Sequence, residues 1–262
     1  MRLATVVREP ATRSHTTPLL FVHGAWHGAW CWEEFFLPYF AQHGYVACAL
    51  DLRGHGKSGE RERLRWMSIA NYVSDLAEVA RQMENPPVVI GHSMGGLVVQ
   101  KYLESHQAPA GVLLASVPPG GVLRLTLSIA RRHPLCFLQA NLTLGLYPIV
   151  ATPQLTREAF FSANMPEEQL KTYYAHIQNE SFRAYLDMLA LNLPRPRKIK
   201  IPMLVLGAEK DTIFTRKEVA ATARAYATQA QIFPNMAHDM MLEKDWEAVA
   251  RCILEWLDSQ GI

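Results

Sequence analysis

Short runs of apolar residues alternate along the chain with longer stretches whose apolar positions recur every three or four residues. The short runs predict buried strands, and the longer stretches predict amphipathic helices. Strands are expected near residues 3–7, 19–22, 46–50, 88–90, 110–115, 203–207 and 231–233. Because these runs hold few polar residues and helical patterns separate them, they predict an α/β fold whose mostly parallel sheet is covered by helices on both faces.

Several helical patterns have recognisable ends. One helix is expected from about residue 31 to 43, where Gly44 can end it. Ser68 can cap a long amphipathic helix, and a final helix is expected from about residue 243 to 257. Strands and helices in this order bring the carboxyl ends of the parallel strands to one edge of the sheet, which is where ligands bind in such folds.

The alternation stops between residue 120 and about residue 200, where helical patterns occur without a clear strand. Helices are expected near residues 157–163, 167–178 and 181–191. An all-helical insertion between two strands is best interpreted as a cap over the edge of the sheet. The sequence therefore predicts an α/β core of residues 1–119 and 201–262, with a helical cap, or lid, of residues 120–200.

The composition is that of an ordinary globular protein. Of the 262 residues, 49% are hydrophobic and 19% are charged, and the formal net charge of +2 gives no reason to expect a nucleic acid partner. Four scattered cysteines favour reduced thiols over disulfides or a metal site. No signal peptide or transmembrane run is recognisable, so a cytoplasmic protein is expected. Nothing in the pattern specifies an oligomeric state.

The most informative motif is Gly-His-Ser-Met-Gly-Gly at residues 91–96, directly between a predicted strand and a predicted helix. Gly-x-Ser-x-Gly in this context is a nucleophile elbow, in which a sharp turn lifts the serine hydroxyl above the sheet. The following helix adds backbone N–H groups and a partial positive charge at its N-terminus. Ser93 is therefore the expected nucleophile.

Such a serine needs a general base, and histidine suits this task because its unperturbed pKa is about 6.5. The chain has ten histidines, so the choice depends on position. His238 follows the last predicted strand and precedes the last helix, which places it at the same edge as Ser93. It is therefore the expected base.

The acid that orients the base should also follow a strand. Asp211 comes shortly after the strand near residues 203–207, and Glu209 is its rival in the same loop. Asp239 adjoins His238 too closely in sequence to orient it, so we expect it to cap the last helix. The order Ser93, Asp211, His238 is that of α/β-hydrolase triads and differs from the orders in chymotrypsin-like and subtilisin-like proteases.

Five stretches resemble the α/β-hydrolase superfamily, and together they extend over nearly the whole chain. They are His23-Gly24-Ala25-Trp26, residues 51–58, residues 91–96, residues 207–211, and Ala237-His238. The run from residue 23 to 32 also resembles plant methylesterases and hydroxynitrile lyases, whereas residues 53–58 resemble bacterial esterases and monoacylglycerol lipases. The resemblance implies an α/β-hydrolase fold and serine esterase or lipase chemistry, with no metal and no cofactor.

The same resemblance implies an oxyanion hole made by the backbone N–H groups of Ala25 and Met94, the latter being the residue after the nucleophile. For substrate binding we expect Trp26, His92 and Leu146. His92 is excluded as the base because it adjoins the nucleophile. Apolar residues of the predicted cap exceed what a short connector needs, so some of them are expected to form an apolar chamber.

The sequence thus predicts a serine hydrolase that cleaves small-molecule carboxylic esters, with short- to medium-chain or apolar acyl groups, through an acyl-enzyme. Alternatives with the same triad are C–C bond hydrolysis and cofactor-free perhydrolysis, and another is a ligand-binding receptor on a hydrolase scaffold. Cyanohydrin cleavage fits less well. In the hydroxynitrile lyases a lysine follows the catalytic histidine in the same loop, whereas in this chain Asp239 follows His238. A serine at the elbow argues against haloalkane dehalogenases and epoxide hydrolases, which use aspartate.

Overall fold

The computed structural model describes residues 2–262 and contains one sheet with seven strands in that part of the chain. The strands are β1 (Ala4–Arg8), β2 (Leu19–Val22), β3 (Ala47–Asp51), β4 (Val88–His92), β5 (Gly111–Leu114), β6 (Met203–Ala208) and β7 (Ala230–Phe233). Their order in the sheet is β1-β3-β2-β4-β5-β6-β7. Only β1 is antiparallel to its neighbour; the other pairs are parallel, which confirms the predicted α/β fold with a mostly parallel sheet.

Helices occupy most of the remaining chain. The α-helices are α1 (Trp30–Glu33), α2 (Phe36–Gln42), α3 (Ile69–Arg81), α4 (Met94–Tyr102), α5 (Leu123–Arg132), α6 (Pro134–Thr143), α7 (Pro153–Phe160), α8 (Glu167–Tyr174), α9 (Phe182–Leu186), α10 (Arg216–Ala225) and α11 (Trp246–Ser259). Short 3-10 turns span Arg61–Trp66, Tyr147–Ile149 and Pro196–Lys198, and a π-helical turn spans Asp187–Leu191. In the part of the chain that the structure describes, no helix is both long enough and apolar enough to cross a membrane.

The burial of each strand follows its place in the sheet. Every residue of β2, β3, β4, β5 and β6 is buried, as expected for apolar strands covered on both faces. The edge strands β1 and β7 contain exposed residues. Because β2, β4 and β6 run in parallel, the residues that follow them lie at one edge of the sheet.

The helix expected from about residue 31 to 43 is two helices, α1 and α2. Pro38 explains the break, because in one continuous helix its ring would collide with the carbonyl of Glu34 and it has no N–H to donate there. The chain therefore restarts at Phe36, and Pro38 lies in the first turn of α2, where a proline is tolerated.

We refer to residues 120–200 as the cap segment. It runs from the end of β5 to the start of β6, contains α5 to α9, and contributes no strand to the sheet. Its one β-type contact is an isolated bridge between Gly145 and Ser181. α7 begins and ends slightly before the predicted range, and α8 is shorter than predicted. α9 and the π-helical turn that follows it directly extend together from Phe182 to Leu191, close to the predicted 181–191.

Candidate active site

The turn between β4 and α4 holds Ser93 in a strained backbone conformation. Its φ of 52° and ψ of −118° form a combination that residues other than glycine rarely adopt. Glycines make this tight turn possible: a Cβ on Gly91 would lie 2.4 Å from the Gly95 carbonyl oxygen, and a Cβ on Gly95 would lie 2.3 Å from the Val22 carbonyl oxygen. The strand, turn and helix expected around the serine are therefore all present.

His238 and Asp211 are joined by a buried hydrogen bond of 2.9 Å between Nδ1 and Oδ2. The other carboxylate oxygen, Oδ1, accepts the N–H groups of Ile213 and Phe214 at 2.7 and 3.0 Å. Since this carboxylate accepts from all its partners, Nδ1 of His238 carries the proton and Nε2 keeps the lone pair of the neutral ring. Nε2 is buried and has no hydrogen-bond partner within residues 2–262, so it is free to accept a proton.

Glu209, the rival acid, has other partners. Its carboxylate accepts the N–H of Asn235 at 3.1 Å and lies 3.8 Å from Lys210 Nζ. The Asn235 hydrogen bond and the charge of Lys210 lower the pKa of Glu209. Among the hydrogen bonds of residues 2–262, that of His238 Nδ1 goes to Asp211 and none joins Glu209 to this ring, so the geometry favours Asp211.

A cavity lies beside Ser93, between the core and the cap segment. Much of its lining is apolar and comes from the cap segment, including Leu125, Ile129, Phe137, Ile149, Phe182 and Met188. Two of the three expected substrate-binding residues, Trp26 and Leu146, belong to the lining. They are joined to each other, because Trp26 Nε1–H donates to the Leu146 carbonyl oxygen at 3.2 Å. An apolar ligand group therefore fits this space.

Ala25 and Met94 line the same cavity, and their backbone N–H groups have no protein acceptor within residues 2–262. Met94 is the first residue of α4, so its N–H is one that an α-helix leaves unpaired, at the positive end of the helix dipole. Two unpaired N–H groups next to a serine suit a negatively charged oxygen.

His92 lies outside this lining, in contrast to the expectation that it contacts substrate. Its side chain is 1% exposed, and Nε2–H donates to the His238 carbonyl oxygen at 3.1 Å. Burial, together with the nearby His238 ring, lowers the pKa of His92 to about 3. The two ring centres are 4.7 Å apart. His92 is thus a neutral group that supports the loop carrying His238, and its position gives no support to a role in substrate binding.

A second buried histidine–carboxylate pair lies near the site, and sequence reasoning missed it. His27 Nε2 is 2.9 Å from Asp239 Oδ2, and His27 Nδ1 is 2.7 Å from the Ala25 carbonyl oxygen. Because both partners accept, both ring nitrogens donate and the ring is a cation. Burial lowers the pKa of His27, but the charge of Asp239 together with the hydrogen bonds to Asp239 and to the Ala25 carbonyl oxygen outweighs burial and raises it. The pair therefore fixes the chain at Ala25.

The expectation that Asp239 caps the last helix is wrong, because α11 begins at Trp246 and the Asp239 carboxylate is turned to His27 instead. A local pattern could not have indicated this pair, since its members are 212 residues apart in the chain. The burial of His27 could not be predicted from its neighbour either, since Trp26 lines the cavity whereas His27 is buried outside the cavity lining.

His92, His238 and Asp239 also form a group, among residues 2–262, whose donor atoms lie within 4.8 Å of one another and could hold a metal ion. Hydrogen bonds already use part of this donor set. His92 Nε2 donates to a carbonyl oxygen, and His238 Nδ1 donates to Asp211.

A comparison with known protein families identifies the family to which the fold belongs. The model of the alpha/beta hydrolase family matches residues 19–252, a range that contains Ser93, Asp211 and His238. The chain belongs to the alpha/beta hydrolase family. This alpha/beta hydrolase therefore has the family fold that its sequence predicts, with the serine turn between β4 and α4.

Relatives of this alpha/beta hydrolase include hydrolases and haloperoxidases. Norfluorocurarine synthase 2 from Strychnos sp is 30% identical over 115 residues, 42% of each chain. A non-heme chloroperoxidase from Streptomyces lividans is 35% identical over 106 residues, 39% of this chain and 37% of that one. The chain thus spans less than half the length of these two relatives. Phospholipase YtpA from Bacillus subtilis (strain 168) is 23% identical over 260 residues, 92% of this chain and 94% of that one.

Solved structures show the same fold. An esterase from Exiguobacterium antarcticum superimposes with a TM-score of 0.77 at 18% identity, and the match covers 98% of this chain and 95% of that chain. At this identity the likeness concerns the fold alone.

Proposed function

We propose that this alpha/beta hydrolase is a serine esterase or lipase that cleaves carboxylic esters through an acyl-enzyme. The observation that carries the proposal is the 2.9 Å contact between His238 Nδ1 and Asp211 Oδ2. It leaves His238 Nε2 as an unpaired base at the sheet edge that holds the strained Ser93. The similarity to a phospholipase over nearly the whole chain supports ester cleavage.

In the first step, Ser93 Oγ attacks the ester carbonyl carbon while His238 Nε2 takes the hydroxyl proton. The carbonyl π electrons move to oxygen, and the N–H groups of Ala25 and Met94 stabilise the resulting oxyanion. When the tetrahedral intermediate collapses, the alcohol leaves with the proton from His238. Asp211 holds the ring in the required tautomer and stabilises its cation.

In the second step, water takes the place of the alcohol. His238 removes a proton from the water, the oxygen attacks the acyl carbon, and the carboxylic acid leaves while Ser93 regains its proton. A neutral His92 favours both steps, because a second cation next to the His238 ring would oppose its protonation. The deep burial of His92 keeps it neutral.

The lining of the cavity favours an ester whose acyl or alcohol group is apolar. Its lining from the cap segment is aliphatic and aromatic, with few polar side chains such as Thr126, Asn141 and Tyr185. Short- to medium-chain or apolar acyl esters are therefore the proposed substrates.

A serine-directed fluorophosphonate tests the nucleophile. The wild type should be labelled at Ser93, and Ser93→Ala should abolish both labelling and turnover of p-nitrophenyl esters. Ser116→Ala is the matched control, because Ser116 is also buried near the same turn but does not line the cavity. Turnover by Ser93→Ala at the wild-type rate would refute the proposal.

The acid is tested by a pair of neutral replacements. Asp211→Asn should lower kcat by about 10⁴-fold, as expected when the base is held in the wrong tautomer. Glu209→Gln should leave kcat close to wild type, because Glu209 contacts Asn235 and Lys210 rather than His238. The reverse result would assign the role of the acid to Glu209.

Perhydrolysis is a second candidate, favoured by the match to a non-heme chloroperoxidase over part of the chain. Hydrogen peroxide would then attack the acyl-enzyme in place of water and release a peracid. Bromination of a phenolic reporter in the presence of acetate, bromide and peroxide measures this activity. Perhydrolysis is the better description if its rate exceeds ester hydrolysis and is likewise abolished by Ser93→Ala.

A further inference from the structure

Glu180 carries a fully buried carboxylate that reaches from the cap segment into the core. Four groups donate to it. Oε2 accepts the Trp26 N–H at 3.3 Å and His55 Nε2–H at 2.9 Å. Oε1 accepts the Tyr72 hydroxyl at 3.0 Å and the Ser181 N–H at 2.6 Å. A carboxylate has about four lone-pair positions, so these contacts fix the side chain in place.

The charge of Glu180 is balanced next to it by His55. His55 Nδ1 lies 3.1 Å from the Arg53 carbonyl oxygen, which only accepts, so Nδ1 donates there and Nε2 donates to Glu180. The ring is therefore a cation. Burial lowers the pKa of His55, but the Glu180 charge together with the hydrogen bonds to Glu180 and to the Arg53 carbonyl oxygen outweighs burial and raises it. Glu180 and His55 thus form a neutral pair that can remain buried.

Trp26, the third partner of Glu180, has a backbone conformation that large side chains rarely adopt. Its φ is 67°, in the left-handed region. The cap segment contacts the backbone of this residue at both ends, because Glu180 accepts its N–H and the Gln178 N–H donates to its carbonyl oxygen at 3.0 Å. Strained residues persist where their surroundings determine the conformation in this way.

The strained residue follows Ala25 directly. The peptide group between Ala25 and Trp26 is held at its carbonyl by His27 Nδ1–H at 2.7 Å and at its N–H by Glu180. The preceding peptide group, which contains the Ala25 N–H, is held at the Gly24 carbonyl oxygen by His23 Nδ1–H at 2.8 Å. The direction of the Ala25 N–H therefore depends on contacts on both sides.

We propose that Glu180 is a positioning residue for the oxyanion hole: it holds Trp26, and through Trp26 it sets the direction of the Ala25 N–H. The inference rests on the proposed function, in which that N–H stabilises the oxyanion. It gives the cap segment a part in catalysis in addition to its part in lining the cavity.

Glu180→Asp is the direct test. Aspartate keeps a negative charge beside His55 but withdraws the carboxylate by one C–C bond, about 1.5 Å. The long contact with the Trp26 N–H, at 3.3 Å, is then the first to break. Because the oxyanion exists only in the transition state and intermediate, kcat and kcat/KM should fall together by about 10- to 100-fold, while KM changes less than about twofold.

Asp187→Asn is the matched control. Asp187 is another buried carboxylate of the cap segment and accepts the N–H of Ile69 in the core at 2.9 Å, but it does not contact Trp26. Its kcat should stay within about twofold of wild type. Equal losses of kcat in the two variants, or a change in KM alone, would leave Glu180 with a structural role only and overturn the proposal.

A boronic acid that mimics the tetrahedral intermediate gives an independent readout. Its affinity for Glu180→Asp should fall by the same factor as kcat/KM. Should this variant fail to fold, Tyr72→Phe decides, since it keeps the carboxylate and its backbone donors but removes one anchor at Oε1. A lower kcat at unchanged KM supports the proposal, and an unchanged kcat overturns it.

Failure of the proposed function has a different signature. In that case the fluorophosphonate leaves wild-type Ser93 unlabelled. If wild-type Ser93 is labelled and required for turnover, but Glu180→Asp keeps the wild-type kcat, only the role of Glu180 is refuted.

Discussion

Replacing His92 by glutamine should make the protein less sensitive to acid. The folded protein lowers the pKa of His92 to about 3, whereas a histidine in the unfolded chain titrates near 6.5. Below pH 6.5 the unfolded chain therefore binds a proton that the folded protein does not bind, and stability falls with pH. Above pH 6.5 neither state is protonated, so this loss is absent.

The size of the effect follows from that difference. Each pH unit between the two pKa values costs about 1.4 kcal/mol, so lowering the pH from 7 to 5 removes about 2 kcal/mol of unfolding free energy through His92. Glutamine does not titrate, and its amide nitrogen can replace Nε2 as the donor to the His238 carbonyl oxygen. The variant should therefore lack this part of the pH dependence.

Urea denaturation at pH 7 and pH 5, followed by tryptophan fluorescence, measures the difference. The wild type should lose about 2 kcal/mol more than His92→Gln between the two conditions. His23 is also buried with a lowered pKa, but it is present in both proteins and cancels in the comparison. Equal losses in wild type and variant would refute the assignment of a neutral, proton-excluding His92.

Two further predictions concern the buried pair and the cavity. Asp239→Ala should lower the unfolding free energy by about 3–5 kcal/mol in the same urea assay, because the buried His27 cation loses its partner. The control Asp245→Ala, at an exposed position, should lower it by less than about 1 kcal/mol. A small loss in both variants would contradict the ion pair. Ala140→Phe should fill part of the cavity and lower the ratio of kcat/KM for the octanoyl p-nitrophenyl ester to kcat/KM for the acetyl ester by about 10-fold or more. Leu138→Phe, on the exposed side of the same helix, should leave this ratio unchanged. An unchanged ratio for Ala140→Phe would show that the acyl chain binds elsewhere.

The features that the sequence predicted well are those encoded locally. The turn at Ser93 follows from glycines within two residues of the serine, because only they allow strand and helix to approach so closely. Asp211 and His238 lie at one edge of the sheet because each follows a strand of the parallel part, and the carboxyl ends of parallel strands lie at the same edge. The break before Pro38 was missed although its cause is also local.

Local sequence patterns could not predict the contacts between distant parts of the chain. The pair of His55 and Glu180 joins residues 125 apart, and that of His27 and Asp239 joins residues 212 apart. All four are polar or charged residue types that mostly lie at protein surfaces, so a local pattern does not indicate that they are buried. His92 shows the converse, since its place next to the nucleophile suggested substrate contact, whereas the turn directs it into the protein.

The cap segment leaves β5 and returns in β6, and these two strands are direct neighbours in the sheet. Because this pair is parallel, the segment leaves at one edge of the sheet and returns at the opposite edge, and the core itself fixes the separation of its two ends, whatever the length of chain between them. Because loop-closure cost rises by only about 0.6 kcal/mol for each doubling of length, segments of other lengths can occupy this place with little effect on folding of the sheet. Substrate range can thus diversify by exchange of one module, provided that each new module brings an acceptor to the Trp26 N–H.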